Sequence, residues 1–426
     1  MIINNILEVS KKGLCVGCGT CESVCPKNSI KMVINKKKGI YLPNINQKLC
    51  NDCELCIKSC PGYELDFNSL SSELFNKCNT NQLIGKFLDT FIGYSTNMHI
   101  RYNSSSGGMI TQILISSLEL GIIDGALVTR MKKGNPLIPE PFIAKTKEEI
   151  IEASKSKYCP VPLNSALNEL MTTKLKKIAV VGLPCHIHGI RKAEKINNKL
   201  RKKIIIHLGI FCIYTPTFNG TKLLLKKLSL NEEKIKNIEY RGKGWPGSMK
   251  IIDHKHEIIV NEYWKFIGLN FFIPFRCLKC CDGTNELADI SFGDAWLPEY
   301  SNDKIGSSII ISRTKFSLEL LYSLNENNKI NLNEIDVGKV IESQRGMLYF
   351  KKKSFESRIK ISRNSPEYNI KHLNPYLMDY VTSIYIYLSI YLASFSIFRK
   401  LLPHIPDKIL VLYKLFPTLI NRKKRI

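Results

Sequence analysis

A chain of 426 residues with 44% hydrophobic content is long enough for two or three domains, each with its own core. Its net charge of +25 admits a nucleic-acid, anionic-membrane or acidic partner. The basic residues are scattered and accompany no helix-turn-helix, RNA-recognition or zinc-finger pattern, so a nucleic-acid role is set aside. Residues 1–14 lack the basic start, long apolar stretch and small-residue cleavage site of an export signal, and a cytoplasmic location is expected. Fifteen cysteines in a reducing compartment then point to metal rather than to disulfides.

The first element is a repeat. "GLCVGCGTCESVCP" carries Cys15, Cys18, Cys21 and Cys25, and "KLCNDCELCIKSCP" carries Cys50, Cys53, Cys56 and Cys60. Each run reads C-x2-C-x2-C-x3-C-P, the spacing of bacterial ferredoxins. Three closely spaced thiolates let one turning loop wrap three corners of a [4Fe–4S] cube, and Pro26 or Pro61 turns the chain away. Zinc sites pair two C-x2-C knuckles instead, and do not call for two identical four-cysteine runs. Between the runs, "SIKMVINKKKGIYLPNI" reads as strand, basic turn and strand. The resemblance to two-cluster ferredoxins implies crosswise ligation: Cys15, Cys18, Cys21 and Cys60 on one cluster, Cys50, Cys53, Cys56 and Cys25 on the other. Such a module moves single electrons and does no substrate chemistry.

Residues 62–90 read as a polar, helical linker. At 104–121, "SSSGGMITQILISSLELG", a small-residue turn opens an apolar helix. Its N–H groups suit a phosphate, although a plain capped helix explains the same residues. Strands are expected over 122–130, 178–185 and 203–212, with helices over 147–155, 162–175 and 186–200 between them. That alternation predicts a parallel α/β sheet. Cys185 and Cys212 are expected at strand ends, where ligands gather in such folds. "FRCLKCCDG" then adds Cys277, Cys280 and Cys281. Cys78 and Cys159 read as small buried hydrophobes. Cys185, Cys212, Cys277 and Cys280 would make a third [4Fe–4S] site, with Cys281 spare or replacing Cys280.

SSSGG, "SKY" (156–158), "VGLPCHIHGIR" (181–191), "YRGKGWPG" (240–247) and C-x2-C before "ADISFGDAW" follow one another in order. Together they resemble the coenzyme F-420 hydrogenase/dehydrogenase beta-subunit family, over roughly residues 10–350. The resemblance implies an iron–sulfur flavoprotein: an α+β ferredoxin-like domain over 1–65 and an FAD-binding α/β body over 66–350; the residues beyond, 351–426, read as a basic, apolar helical tail. It implies a redox partner protein, either a ferredoxin or a reductase, and a small two-electron acceptor; some members lie beside polysaccharide-synthesis enzymes. Ser105, Ser106, Gly107 and Gly108 would hold flavin phosphates or ring edges, and Ser156, Lys157 and Tyr158 would seat the flavin. Arg241, Lys243 and Trp245 would meet a polar or anionic substrate. His186 and His188 are candidate proton donors with Lys243, although a histidine after a strand also serves as a satisfied structural group. Three departures from the family stand out: His186 replaces its usual glutamine, Ile213 its usual histidine, and Cys281 adds a second candidate beside Cys280.

The tail holds a run without charge over 380–398, then Arg399 and Lys400, a second apolar stretch over 409–416, and a basic end. A helix packed on the body, an in-plane helix at the inner face of a membrane, and a single span all fit that pattern. An electron-transfer subunit without substrate chemistry, and an assembly protein with structural clusters, are the other functional readings.

Overall fold

The computed structural model describes residues 5–254, 256–362, 364–370 and 373–421. The front holds the strands β1 (Ile30–Asn35) and β2 (Ile40–Ile45), paired antiparallel between the two cysteine runs as expected. Residues 62–90 contain a helix, Phe67–Leu74, and three short strands, Glu64–Leu65, Asn79–Asn81 and Gly85–Phe87.

The body is a mixed α/β fold on an eight-stranded sheet. Its strands, in chain order, are β3 (Asp89–Ser95), β4 (Gly125–Lys132), β5 (Asn135–Ala144), β6 (Ile178–Gly182) and β7 (Ile204–Ile210). A small antiparallel sheet follows, made of β8 (Ile235–Glu239), β9 (Met249–Asp253) and β10 (Glu257–Val260). The main sheet is completed by β11 (Ile290–Asp294), β12 (Ser308–Ser312) and β13 (Ile330–Glu334). The order is β13-β3-β12-β11-β7-β6-β4-β5. The four strands β11, β7, β6 and β4 run parallel, and the rest pair antiparallel.

The expected parallel sheet is therefore corrected to a mixed one. "IAVVG" and "IIIHLGI" are near-continuous apolar runs, as strands covered on both faces require. Pro136, Pro139 and Pro141 sit in β5 at the sheet's edge, where a missing N–H costs no ladder bond. Helices α1 (Met109–Glu119) and α5 (Lys315–Glu326) cover one face through Ile113, Leu114 and Leu321. The other face is covered by residues 163–172 and helix α3 (Pro184–Ile196) through Leu167, Ile187 and Ile190. Helices α2 (Lys147–Glu152) and α4 (Phe218–Lys227) lie between them in sequence.

A buried ionic network ties α3 to the sheet. Arg191 donates to Asp289 at 2.9 Å, and the two ring nitrogens of His207 lie 2.9 Å from Glu194 and 3.0 Å from Asp289. Burial would raise the Asp289 carboxyl, but Arg191 and His207 hold it well below its ordinary value. Arg191→Met removes the arginine and leaves two buried carboxylates, Glu194 and Asp289, sharing the His207 imidazole. The expected loss is about 3–5 kcal/mol, read as a lower urea midpoint of the loaded protein.

The tail starts inside the body: Lys351 and Arg358 are both 1% exposed. Beyond them come α6 (Leu377–Ser394), α7 (Ser396–Leu401) and α8 (Asp407–Asn421). The basic residues 422–425 lie outside the described residues.

Candidate functional site

Both cysteine runs fold into the same loop. Gly17 and Gly19 have positive φ (72° and 89°), and the residues 35 positions later, Asp52 and Glu54, do so too (51° and 60°). Each loop then enters a one-turn helix, Thr20–Ser23 and Leu55–Lys58. Glycine adopts that backbone freely; Asp52 and Glu54 adopt it against a cost of about 1 kcal/mol or more each. Strain repeated at equivalent positions is the mark of a loop whose curvature is required.

Cys60 of the second run joins three thiols of the first. The Cys15 thiol is pushed up to about 12 by burial and then by Cys60, and Cys21 is raised by burial and by Cys15, Cys18, Cys60 and Cys56. Burial raises the Cys56 thiol against a lowering hydrogen bond with the Ile6 backbone, and Cys53 and Cys60 raise it further. Cys25 is held by Ser29, with its Sγ 3.1 Å from the hydroxyl and 3.3 Å from the N–H. Cys50 is half-buried and Cys53 exposed.

The body cysteines converge as well. A cavity of about 790 Å³, solvent-connected space included, is lined by Cys15, Cys185, Cys212, Cys277, Cys280 and Lys351 among others. Burial raises Cys185 well above its usual value, and Cys18, Cys212, Cys277 and Cys280 raise it further. Cys185 is not on a strand, as expected, but is the second residue of α3, three positions past the end of β6. Cys212 lies two residues past β7. Cys277 falls within a 3-10 turn, Phe275–Lys279, and Cys280 is its C-cap. Cys281 does not line this cavity and is 1% exposed, in a cluster with Leu287, Ala288 and Phe355.

Among the described residues, no three His, Cys, Asp or Glu side chains close on a single metal ion. Thiols set around a space, with Cys185, Cys212 and Cys277 held protonated by burial, suit a polynuclear cation that would deprotonate them. Lys351 adds a fixed positive charge. Burial would lower its pKa, but Cys280, Cys212 and Cys277 outweigh that and hold the ammonium above its ordinary range.

The front is fastened beside this cavity by residues that the motifs did not single out. The Asn164 N–H donates to the Cys18 carbonyl at 2.8 Å, and its side chain donates to Thr20 Oγ1 and the His186 carbonyl. Asp282 anchors the Cys277–Cys280 segment, accepting from His188 Nε2 at 2.7 Å and from the N–H groups of Asn285 and Glu286. Asn285 donates to the Gly182 carbonyl at the end of β6. A carboxylate two residues after a C-x2-C pair is the one signal the sequence held for this.

The predicted catalytic residues are occupied. His186 Nδ1 accepts from the Leu183 N–H at 3.2 Å and Nε2 donates to the Val161 carbonyl; burial pushes its pKa down to about 4. His188 is clamped by Asp282 and packs edge-on against Phe67 at 5.0 Å. Lys243 is exposed and pairs with Glu257 at 3.0 Å.

The predicted flavin residues meet where loops 104–108, 154–158, 241–247 and 303–308 come together. Ser105 Oγ accepts from the Ser156 N–H at 2.8 Å. Ser106 Oγ donates to the Ser307 carbonyl, and the Gly107 N–H donates to Ser308 Oγ. A Cβ on Gly107 would come 2.6 Å from the Gly93 carbonyl oxygen, so close packing by itself demands glycine there. Gly108 caps α1. Lys157 Nζ is turned inward onto the carbonyls of Ala153, Ser154 and Lys155, and burial pushes its pKa down to about 7. Tyr158 packs on Tyr240, Tyr263 and Trp264, with its hydroxyl 3.4 Å from Arg241. Arg241 pairs with Asp294 at 2.8 Å, yet its Nη2 and the Trp245 Nε1 are buried without a protein partner. Such orphaned donors fit a bound acceptor group.

The comparisons with known proteins divide along the same lines. A 4Fe-4S dicluster domain matches residues 14–62 and implies iron–sulfur clusters in the front. Both parts of the coenzyme F420 hydrogenase/dehydrogenase beta-subunit family match behind it, the N-terminal part over 90–168 and the C-terminal part over 175–337. The coenzyme F420-dependent sulfite reductase of Methanocaldococcus jannaschii is 27% identical over 381 residues, 85% of this chain but 52% of the relative. The chain thus spans about half the length of that relative. One subunit of the F(420)H(2) dehydrogenase of Methanosarcina mazei is 26% identical over 80% of this chain and 92% of its own. A chain of the F420-reducing [NiFe] hydrogenase complex from Methanosarcina barkeri has the same fold, with a TM-score of 0.54 and 23% identity over 68% of this chain and 98% of that one. With both halves of the body matched in order behind the dicluster front, the chain belongs to the coenzyme F420 hydrogenase/dehydrogenase beta-subunit family.

Proposed function

We propose that this chain is an iron–sulfur flavoprotein oxidoreductase passing electrons between a redox partner protein, a ferredoxin or a reductase, and a small two-electron acceptor. The observation that carries this reading is the convergence of Cys185, Cys212, Cys277 and Cys280 on one cavity that Cys15 of the front also lines. When bound, [4Fe–4S] clusters exchange single electrons and FAD exchanges one or two.

Cys15, Cys18, Cys21 and Cys60 would hold one front cluster; Cys50, Cys53, Cys56 and Cys25 the other; the four body cysteines a third. Asp282 and His188 keep the Cys277–Cys280 segment in place. Ser105 and Ser156 brace the flavin cleft, and Arg241 and Trp245 offer it two unused donors. The relatives' names make coenzyme F420 the first acceptor to try, and reduced thiols favour the cytoplasm. The relatives named above carry no mention of polysaccharide biosynthesis in their names.

A second reading, an electron-transfer subunit without substrate chemistry, is favoured by one observation. The rings of His186 and His188 are both engaged inside the protein, and Lys243 is paired on its surface. Iron, sulfide and released flavin, measured on one sample purified without oxygen, separate the two. About twelve iron atoms per chain with about one FAD is the expected result. Absence of flavin would favour the carrier, and about eight iron atoms would remove the body cluster.

A further inference from the structure

Helix α6 is amphipathic in the wrong sense for a helix facing water. The residues it hides are Asp379, Thr382, Ser383, Ser389 and two small or single apolar ones, Ile386 and Ala393. Those it shows are Leu377 (80% exposed), Val381, Ile384, Leu388 (56%) and Tyr391, with Phe395 at its end. Steps of three and four place these on one face, opposite the hidden polar groups.

The hidden face is held by specific bonds. Tyr349 donates to Asp379 at 2.8 Å, Ser383 and Ser357 share a hydrogen bond at 2.8 Å, and Tyr387 donates to the Arg358 carbonyl. The helix therefore cannot roll to bury its apolar side without losing them. Helix α7 turns away after Phe395 at 87° and leaves Ile397 and Leu401 exposed; α8 leaves Ile409 and Leu412 exposed. Among the described residues, no single helix is long and apolar enough to cross a membrane.

Charge identifies what covers this face. Between 380 and 426 the sequence has one acidic residue, Asp407, against Arg399, Lys400, Lys408, Lys414 and the terminal Arg422, Lys423, Lys424 and Arg425. Lys400 and Lys408 are exposed next to the apolar side chains. Large apolar groups beside a basic rim are what a helix needs to lie in the headgroup region of an anionic bilayer. A second copy of this chain would bring the same positive charge to the contact and repel it.

We infer that the face formed by α6, α7 and α8 docks in the plane of an anionic lipid surface. The test is flotation of the full, cluster-loaded protein with vesicles of phosphatidylcholine, alone or with phosphatidylglycerol. Binding is expected with the anionic vesicles and should fall as salt rises. Leu388→Asp, an outward position, should lower the bound fraction at least about tenfold while iron content stays at the wild-type value. Should that variant fold poorly, Lys400→Glu with Lys408→Glu should weaken binding to anionic vesicles alone. No flotation of the wild type, or equal flotation of the variants, overturns the inference. So does a dimer in solution that Leu388→Asp dissociates, which would make the face a contact between copies.

Discussion

Cys277→Ser is expected to lower iron by about four atoms per chain, from about twelve to about eight, with the front clusters intact. Cys277 lines the cavity and responds electrostatically to Cys280, while Cys212 and Cys185 respond to it. Serine is a poor replacement for a thiolate on iron, so one ligand lost from four should empty the site. The fold around it should survive, because the segment is held by Asp282, His188 and Asn285 and not by the thiol. The front ligands lie on a separate stretch, 15–60, with their own small core of Ile6, Val9, Leu14 and Ile30. Cys281→Ala is the matched control: its side chain faces the apolar core, and its iron should equal wild type. Iron and sulfide analysis with low-temperature EPR reads both variants. Unchanged iron in Cys277→Ser would remove that residue from the ligand set.

Lys351→Met is expected to shift the midpoint potential of the body site downward while iron content stays constant. The ammonium is buried and close enough to Cys280, Cys212 and Cys277 for their charge to raise its pKa. A cluster gains a negative charge when reduced, so a nearby fixed cation favours the reduced form and raises its potential. Removing one unit charge at roughly 6 Å, with an effective dielectric of about 20, costs the reduced form on the order of 3 kcal/mol, or roughly 100 mV for one electron. Methionine keeps most of the side-chain volume, so packing on Phe350 should survive. Redox titration followed by EPR would show the shift, and Lys351→Arg should restore the wild-type potential. An unchanged potential in Lys351→Met would mean that Lys351 only fills space.

The front was legible because its chemistry is local. Spacings of two, two and three residues put three thiols on one turn whatever surrounds it, and the repeat is visible in the letters. Even there the sequence was incomplete. Gly17 and Gly19 advertise a left-handed backbone, but Asp52 and Glu54 take the same conformation without any such signal. The apolar runs of β6 and β7 were readable as strands because buried parallel strands need no alternation. The antiparallel strands β3, β12 and β13 were not seen. β3 pairs with residues more than 200 positions away, and no local periodicity encodes that partner.

The site divides in the same way. Residue type and order sufficed to nominate Cys185, Cys212, Cys277 and Cys280, and to mark an uncharged run in the tail. Only the tertiary structure separates Cys280, which lines the cavity, from Cys281, which is packed into the core beside it. It also decided that His186 and His188 spend both rings on structure, because their partners, Val161 and Asp282, lie 25 and 94 residues away. In the tail, composition alone put apolar residues on a helix. Which of its faces meets the body depends on hydrogen bonds from Tyr349, Ser357 and Tyr387, so the polar face went inward and the apolar face was left outside. Local spacing determines what a stretch can bind; which groups remain free to bind is set by distant partners, and these exist only once the chain has folded.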